Sequence, residues 1–109
     1  MKVITLHTRI NPDKLLAHLI QNLNPLFREQ RQEDIALKIE RVGDAIEISQ
    51  PEMYDGILFH LKIKGRQLWI TRNANYVTDV NSLTIESILN SLFEDLTDDV
   101  RGVDLIIEG

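Results

Sequence analysis

The residues best suited to contact another molecule lie within residues 57–72. This stretch holds a histidine, four cationic side chains and the only tryptophan of the chain, and the candidate residues among them are His60, Lys62, Lys64, Arg66 and Trp69. An indole ring can pack against a protein or stack on a base, and neighbouring cations attract carboxylates or phosphates. The alternative is a solvated sheet face on which lysine stems cover the tryptophan. We treat these five residues as a candidate binding surface.

A second group of charged residues lies near the end of the sequence: Glu94, Asp95, Asp98 and Asp99. They fall at the predicted carboxyl end of a helix, where the backbone dipoles place partial negative charge. Each exposed carboxylate there is therefore unfavourable by about 0.3–1 kcal/mol. Arg101 offsets one of them. The cluster is interpreted either as a solvated loop that aids solubility or as a contact for a basic partner.

Motifs for catalysis or cofactor binding are missing from the sequence. It has no glycine-rich phosphate loop, no Gly-x-Ser-x-Gly elbow and no cysteine that could serve as a nucleophile or metal ligand. His7, His18 and His60 fall on three different predicted elements, without metal-ligand spacing. Glu40 and Glu47 would supply too few oxygens for calcium, which takes about six to eight. We expect no catalytic residue, no metal and no cofactor, which favours a protein that is not an enzyme.

A β-hairpin is predicted to position the candidate binding surface. Gly65 takes the first central position of a two-residue turn, where a type II′ turn has a positive φ that glycine adopts without a clash. The turn pairs Lys62 with Trp69, so a cation–π contact between them is expected. Side chains alternate between two faces. The core face has Phe59, Leu61, Ile63, Leu68 and Ile70, and the mixed face has Leu58, His60, Lys62, Lys64, Gln67, Trp69 and Thr71.

A second hairpin is predicted for residues 35–50. Gly43 and Asp44 form the same kind of turn, and its register places Glu40 directly opposite Glu47. Like charges at opposed positions are mildly destabilising in a sheet. Isoleucine and leucine residues at alternate positions of both strands form a second core face: Ile35, Leu37, Ile39, Ile46 and Ile48.

The first of two amphipathic helices begins at Asn11-Pro12. Asparagine caps a helix through its side-chain oxygen, and proline suits the first helical position. Pro25 interrupts the apolar spacing, because proline lacks a backbone donor and crowds the preceding turn. The pattern predicts either a kinked helix or a helix followed by a second, shorter one that ends near Gln30.

The second helix is predicted to be capped by Ser82 or Thr84 and to run to about Leu96. Strands are expected at residues 2–7 and 103–107, the first of them central in the sheet. The order predicts one α+β domain over residues 1–109, a two-layer sandwich in which two helices pack on one mostly antiparallel sheet. Without one inserted hairpin, the order is ferredoxin-like.

The net charge of −5 is unevenly distributed. Residues 1–50 are balanced, residues 51–72 carry +2 and residues 73–109 carry −7. An acidic total disfavours nucleic-acid binding by the whole surface but leaves a local basic site open. The start of the chain does not resemble a signal peptide, and no apolar run approaches the roughly 18 residues of a membrane helix. We expect a cytoplasmic protein that does not bind a membrane.

The pattern favours a small non-enzymatic protein-interaction module, such as a regulator, an inhibitor or an assembly factor, with an unidentified protein partner. A homodimer through edge strands or sheet faces is compatible with it. The alternative is a nucleic-acid-binding domain, in which Trp69 and His60 stack on bases while the cations, including Arg72, contact phosphates. A third hypothesis, an enzyme with a site assembled from distant residues, requires a deep pocket.

Overall fold

The computed structural model describes the backbone of residues 2–6, 9–97 and 103–108, and side chains as far as residue 93. The chain forms six strands, two α-helices and one 3-10 turn. In chain order these are β1 (Lys2–Leu6), α1 (Pro12–Arg31), β2 (Lys38–Val42), β3 (Ala45–Ser49), β4 (Ile57–Lys64), β5 (Gln67–Arg72), the 3-10 turn (Ala74–Tyr76), α2 (Val80–Thr97) and β6 (Val103–Glu108).

The strands form one antiparallel sheet in the order β2-β3-β4-β5-β1-β6. The two helices contact each other, and their buried residues share a core with the sheet. The predicted α+β class and the central position of β1 are therefore confirmed. The predicted start of the second hairpin is wrong by three residues, because β2 begins only at Lys38.

Glycine-first turns fix the register of both predicted hairpins. Gly43 has φ +60° and Gly65 has φ +61°, whereas neither of the residues that follow them has a positive φ. This combination is the one expected of a type II′ turn. The resulting pairs include Glu40 with Glu47 and Lys62 with Trp69, as predicted.

Helix α1 begins as the sequence predicts. The side chain of Asn11 accepts hydrogen bonds from the backbone N–H groups of Asp13 (2.9 Å) and Lys14 (3.2 Å). The helix then continues through Pro25 to Arg31, so no separate second helix forms.

The amino end of α2 differs from the prediction. The cap is Asp79, whose Oδ2 accepts hydrogen bonds from the backbone N–H groups of Asn81 and Ser82, both at 3.0 Å. Ser82 is itself buried at 1% exposure, and the Thr84 hydroxyl donates to the Val80 carbonyl within the helix. The predicted caps were wrong because Asp79, three residues before Ser82, accepts from N–H groups of an earlier turn, so the helix already begins at Val80.

The core contains all five predicted core-face residues of the β4–β5 hairpin, and those of the second hairpin lie in it or pack against it. It also contains one residue from the predicted mixed face. Strand β4 has one residue more than β3 between the pairs Ile48–Phe59 and Ser49–Ile57. Such a β-bulge interrupts the alternation of side chains. Leu58 and Phe59 are both fully buried in the core as a result. The placement of Leu58 on the mixed face was therefore wrong.

Candidate functional site

The face of the sheet opposite the core carries most of the candidate binding residues. We call it the open face and define it by Glu47, His60, Lys62, Lys64, Gln67, Trp69 and Thr71. All of these side chains are exposed or partly exposed, whereas the strand residues that alternate with them are buried, namely Ile46, Ile48, Phe59, Leu61, Ile63, Leu68 and Ile70. Strands β3, β4 and β5 therefore present one continuous surface of polar and aromatic groups.

Trp69 lies in the middle of the open face and is held by two neighbours. Its Nε1 donates a hydrogen bond to the side-chain oxygen of Gln67 at 3.1 Å. The Lys64 ammonium lies 4.2 Å from the centre of the indole ring, within cation–π range. The expected contact from Lys62 is replaced by this diagonal one, because a long side chain two residues along the partner strand can reach the ring.

Two of these side chains have small apolar neighbours on the adjacent strands. Val3 on β1 lies opposite Trp69, and Ala45 on β3 lies opposite Lys62. Val3 and Ala45 are 9% and 6% exposed. The indole and the lysine stem therefore lie beside small, nearly buried apolar groups, which favours a defined position for both.

His60 is already engaged by its own chain. Its Nδ1 lies 3.2 Å from Oε2 of Glu47, its direct cross-strand neighbour. Glu40, on the other side of Glu47, forms an ion pair with Lys38 at 3.6 Å. The opposed glutamates are therefore each matched with a separate basic group.

Three cations of the candidate surface have no such partner. Among the described residues, no carboxylate forms an ion pair with Lys62, Lys64 or Arg66. Arg72 differs, because its guanidinium contacts Glu86 of α2 at 2.8 Å on the helix side of the sheet. Arg72 therefore lies apart from the cations of the open face, and its contact with phosphate stays a prediction.

Arg9 is a candidate residue that the sequence did not indicate. The backbone N–H of Leu6 donates to the Arg66 carbonyl at 2.8 Å, and that of Ile10 donates to the Gly65 carbonyl at 2.9 Å. The chain thus crosses the β4–β5 turn just where Arg9 is exposed. No local sequence pattern predicts that Arg9 lies beside the β4–β5 turn, because the hydrogen bonds that place it there join residues more than fifty positions apart.

The acidic cluster cannot be placed beside this surface. Glu94 and Asp95 belong to α2, but their side chains are not among those described. Asp98 and Asp99 lie outside the described residues. A contact between this cluster and a basic partner stays a prediction.

A separate polar network joins α1, α2 and the loop before β4. The Tyr54 hydroxyl donates to Asp79 at 2.8 Å and accepts from the Asn81 amide at 3.0 Å. Arg31 donates to the Asn81 side-chain oxygen at 2.8 Å, and the ring of Tyr76 meets that of Tyr54 edge-on at 4.8 Å. Burial, followed by the hydrogen bond to Asp79, raises the pKa of Tyr54. Each polar group here has a partner within the chain, so the network ties three elements together.

An open cleft of about 390 Å³ lies where the chain enters and leaves the β2–β3 hairpin, between residues 34–38 and 50–53. Two of its polar side chains are occupied, because Gln50 donates to the Ala36 carbonyl at 2.7 Å and Lys38 is paired with Glu40. No set of three potential metal ligands converges in the part of the chain that the structure describes. Neither described helix is sufficiently long and apolar to traverse a membrane.

Comparison of the chain with protein-family models, with curated proteins and with solved structures finds no match in any of the three.

Proposed function

We propose that this protein is a non-enzymatic interaction module that binds a partner protein through the open face. The observation that carries the proposal is Trp69, a partly exposed indole held by Gln67 and Lys64 beside cations that form no ion pair with a described carboxylate. Tryptophan and arginine are enriched among residues that dominate protein interfaces. A fixed ring also loses less conformational entropy on binding than a mobile one.

A protein partner fits this surface better than a nucleic acid. Trp69 is the only aromatic residue of the open face, whereas sheets that bind single strands stack several bases on several rings. The net charge of −5 also opposes the attraction of a nucleic acid, a long polyanion that extends well beyond any local group of cations on this surface. His60 is tied to Glu47 and is less available for stacking.

The partner is proposed to be a different protein rather than a second copy of this chain. Two open faces that met in a symmetric homodimer would bring Lys62 and Lys64 of both copies together. Like charges at an interface are unfavourable. We also propose that the protein acts in the cytoplasm, in keeping with a chain without cysteine.

The finer architecture is proposed to be a two-layer sandwich with a ferredoxin-like order and an inserted hairpin. Support comes from the strand order: without the β2–β3 hairpin, the remaining strands follow β4-β5-β1-β6, with each helix as a crossover between them. The inserted hairpin then extends the sheet beside β4 and supplies Glu47 to the open face.

The test is quantitative capture from a native lysate, with and without nuclease treatment, by three purified forms: the natural protein, Trp69→Ala and Leu83→Ala. Leu83 is 46% exposed on α2 and serves as a matched apolar control away from the open face. We expect one protein to be retained by the natural form and by Leu83→Ala and to be lost with Trp69→Ala. Circular dichroism would confirm that both variants fold.

Equal capture by the natural protein and Trp69→Ala would overturn the proposal. So would capture that disappears on nuclease treatment, because it would identify a nucleic acid as the bound molecule.

A further inference from the structure

We infer that the open face recognises an acidic, extended segment of its partner, whose carboxylates are bound at one end by Arg9, Lys64 and Arg66. We call these three residues the basic corner. The inference rests on the proposed function and names the chemistry of the partner at that same surface.

The position of the basic corner follows from backbone hydrogen bonds. The N–H groups of Leu6 and Ile10 hold the chain across the β4–β5 turn through the carbonyls of Arg66 and Gly65. Arg9 therefore joins Lys64 and Arg66 at the same end of the sheet. All three side chains are exposed. The corner is built by tertiary contacts and not by a run of charge along the sequence.

Among the described residues, no carboxylate near this end of the sheet forms an ion pair with the basic corner. Asp13 forms an ion pair with Arg41. Asp44 lies in the adjacent β2–β3 turn, where its carbonyl accepts the Ile63 N–H at 2.9 Å, and its carboxylate forms no ion pair with a described residue. Cations elsewhere contrast with this, since Arg28, Lys38 and Arg72 each contact an acidic side chain.

Lys64 connects the basic corner to the apolar part of the surface. Its ammonium lies over the Trp69 ring at 4.2 Å and still faces solvent. A carboxylate that approaches Lys64 would therefore lie next to the indole. A partner segment that places an acidic residue at the corner and an apolar one on Trp69 satisfies both groups together.

An extended segment suits the shape of the surface better than a deep-binding ligand. The open face is a pleated sheet surface, and the cleft of about 390 Å³ is lined by residues 34–38 and 50–53, none of which belongs to the basic corner. Extended peptide advances roughly 3.3 Å per residue. About seven residues therefore cover the shortest dimension of the molecule, 24 Å.

The experiment titrates the full chain with a capped peptide of about seven glutamates and, as control, the glutamine peptide of equal length. Binding is followed by calorimetry and by the emission of Trp69, which is the only tryptophan and therefore reports on this site alone. We expect saturable binding of the glutamate peptide only, and weaker binding when salt rises from about 50 mM to about 200 mM.

Variants locate the site. Arg9→Ala and Arg66→Ala should each weaken binding of the glutamate peptide roughly threefold, which is typical of one exposed charge pair. Arg28→Ala is the matched control, because Arg28 is an exposed cation of α1 paired with Asp34 at 3.6 Å and lies outside the corner. Its affinity should equal that of the natural protein.

The outcomes separate this inference from the proposed function. Absence of glutamate-peptide binding, or equal affinity in Arg9→Ala, Arg66→Ala and Arg28→Ala, overturns the inference. If partner capture still depends on Trp69, the proposed function stands without it. Binding of a single-stranded oligothymidylate in place of the glutamate peptide overturns both.

Discussion

At the scale of single residues, Tyr54 shows how one hydroxyl can join distant parts of the chain. It donates to Asp79, which also caps α2, and it accepts from Asn81, which in turn binds Arg31 of α1. The tyrosine must be protonated to donate. The stability of this junction therefore depends on the ionisation of a group that is neutral at physiological pH.

The first prediction concerns Tyr54→Phe. Because the pKa of Tyr54 is raised in the folded protein, its contribution to stability is fully present below about pH 10, the ordinary value for tyrosine. The contribution is lost as the pH rises above that value, since the unfolded chain ionises first. The free energy of unfolding, from urea titrations between about pH 8 and about pH 11, should show a stability advantage over Tyr54→Phe that shrinks only above about pH 10. A constant difference over that range would contradict this prediction.

At the scale of elements, the side chain of Asn24 on α1 forms the two backbone hydrogen bonds with Leu37 that a neighbouring strand would otherwise form. Its side-chain oxygen accepts the Leu37 N–H at 2.7 Å, and its amide donates to the Leu37 carbonyl at 3.0 Å. Both backbone groups of the residue before β2 are thereby satisfied by α1. This contact anchors the start of the β2–β3 hairpin, which supplies Glu47 to the open face.

The second prediction is that Asn24→Ala lowers the free energy of unfolding by about 1–3 kcal/mol, because Leu37 is 6% exposed and its backbone groups would lose their partners. Gln21→Ala is the matched control, an exposed position of α1. It should change stability by less than about 0.5 kcal/mol. Urea denaturation measures both variants, and similar losses in the two would argue against the role given to Asn24.

The elements that the sequence predicted correctly are those with local causes. Glycine at the first turn position and alternating apolar residues were sufficient for both hairpin registers, and Asn11-Pro12 for the start of α1. The errors have non-local causes. Leu58 is buried by a bulge relative to β3, and Arg9 reaches the site through contacts with the β4–β5 turn.

The candidate site was predicted in part for the same reason. His60, Lys62, Lys64 and Trp69 share a face because they belong to one hairpin with a fixed register. The partner of the Trp69 ring was misassigned, because side-chain direction as well as pairing decides which lysine reaches it. The pairing of Arg72 with α2 required knowledge of how the helix packs.

At the scale of the whole molecule, the strand order sets which parts are protected. Strands β4 and β5 have a neighbour on each side, whereas β2 lies at an edge and four of its five residues are exposed. The binding residues therefore rest on the interior of the sheet rather than on its margin. A rigid support of this kind keeps the position of Trp69 defined.

The third prediction is that amide hydrogen exchange is slowest in β4 and β5 and at least about tenfold faster in β2, since local opening needs less free energy at an edge. Nuclear magnetic resonance can follow individual amides after transfer to heavy water. Equal protection of β2 and β4 would indicate that the sheet opens only as one unit.

The edge position of β2 has a consequence for how the protein behaves at high concentration. An edge strand offers unpaired backbone groups to a strand of another molecule, which is a starting point for fibrils. On β2, the exposed residues Lys38, Glu40 and Arg41 place charge along that edge. A second molecule that docked there would have to desolvate these charges, so the sequence of β2 opposes uncontrolled polymerisation from this side of the sheet.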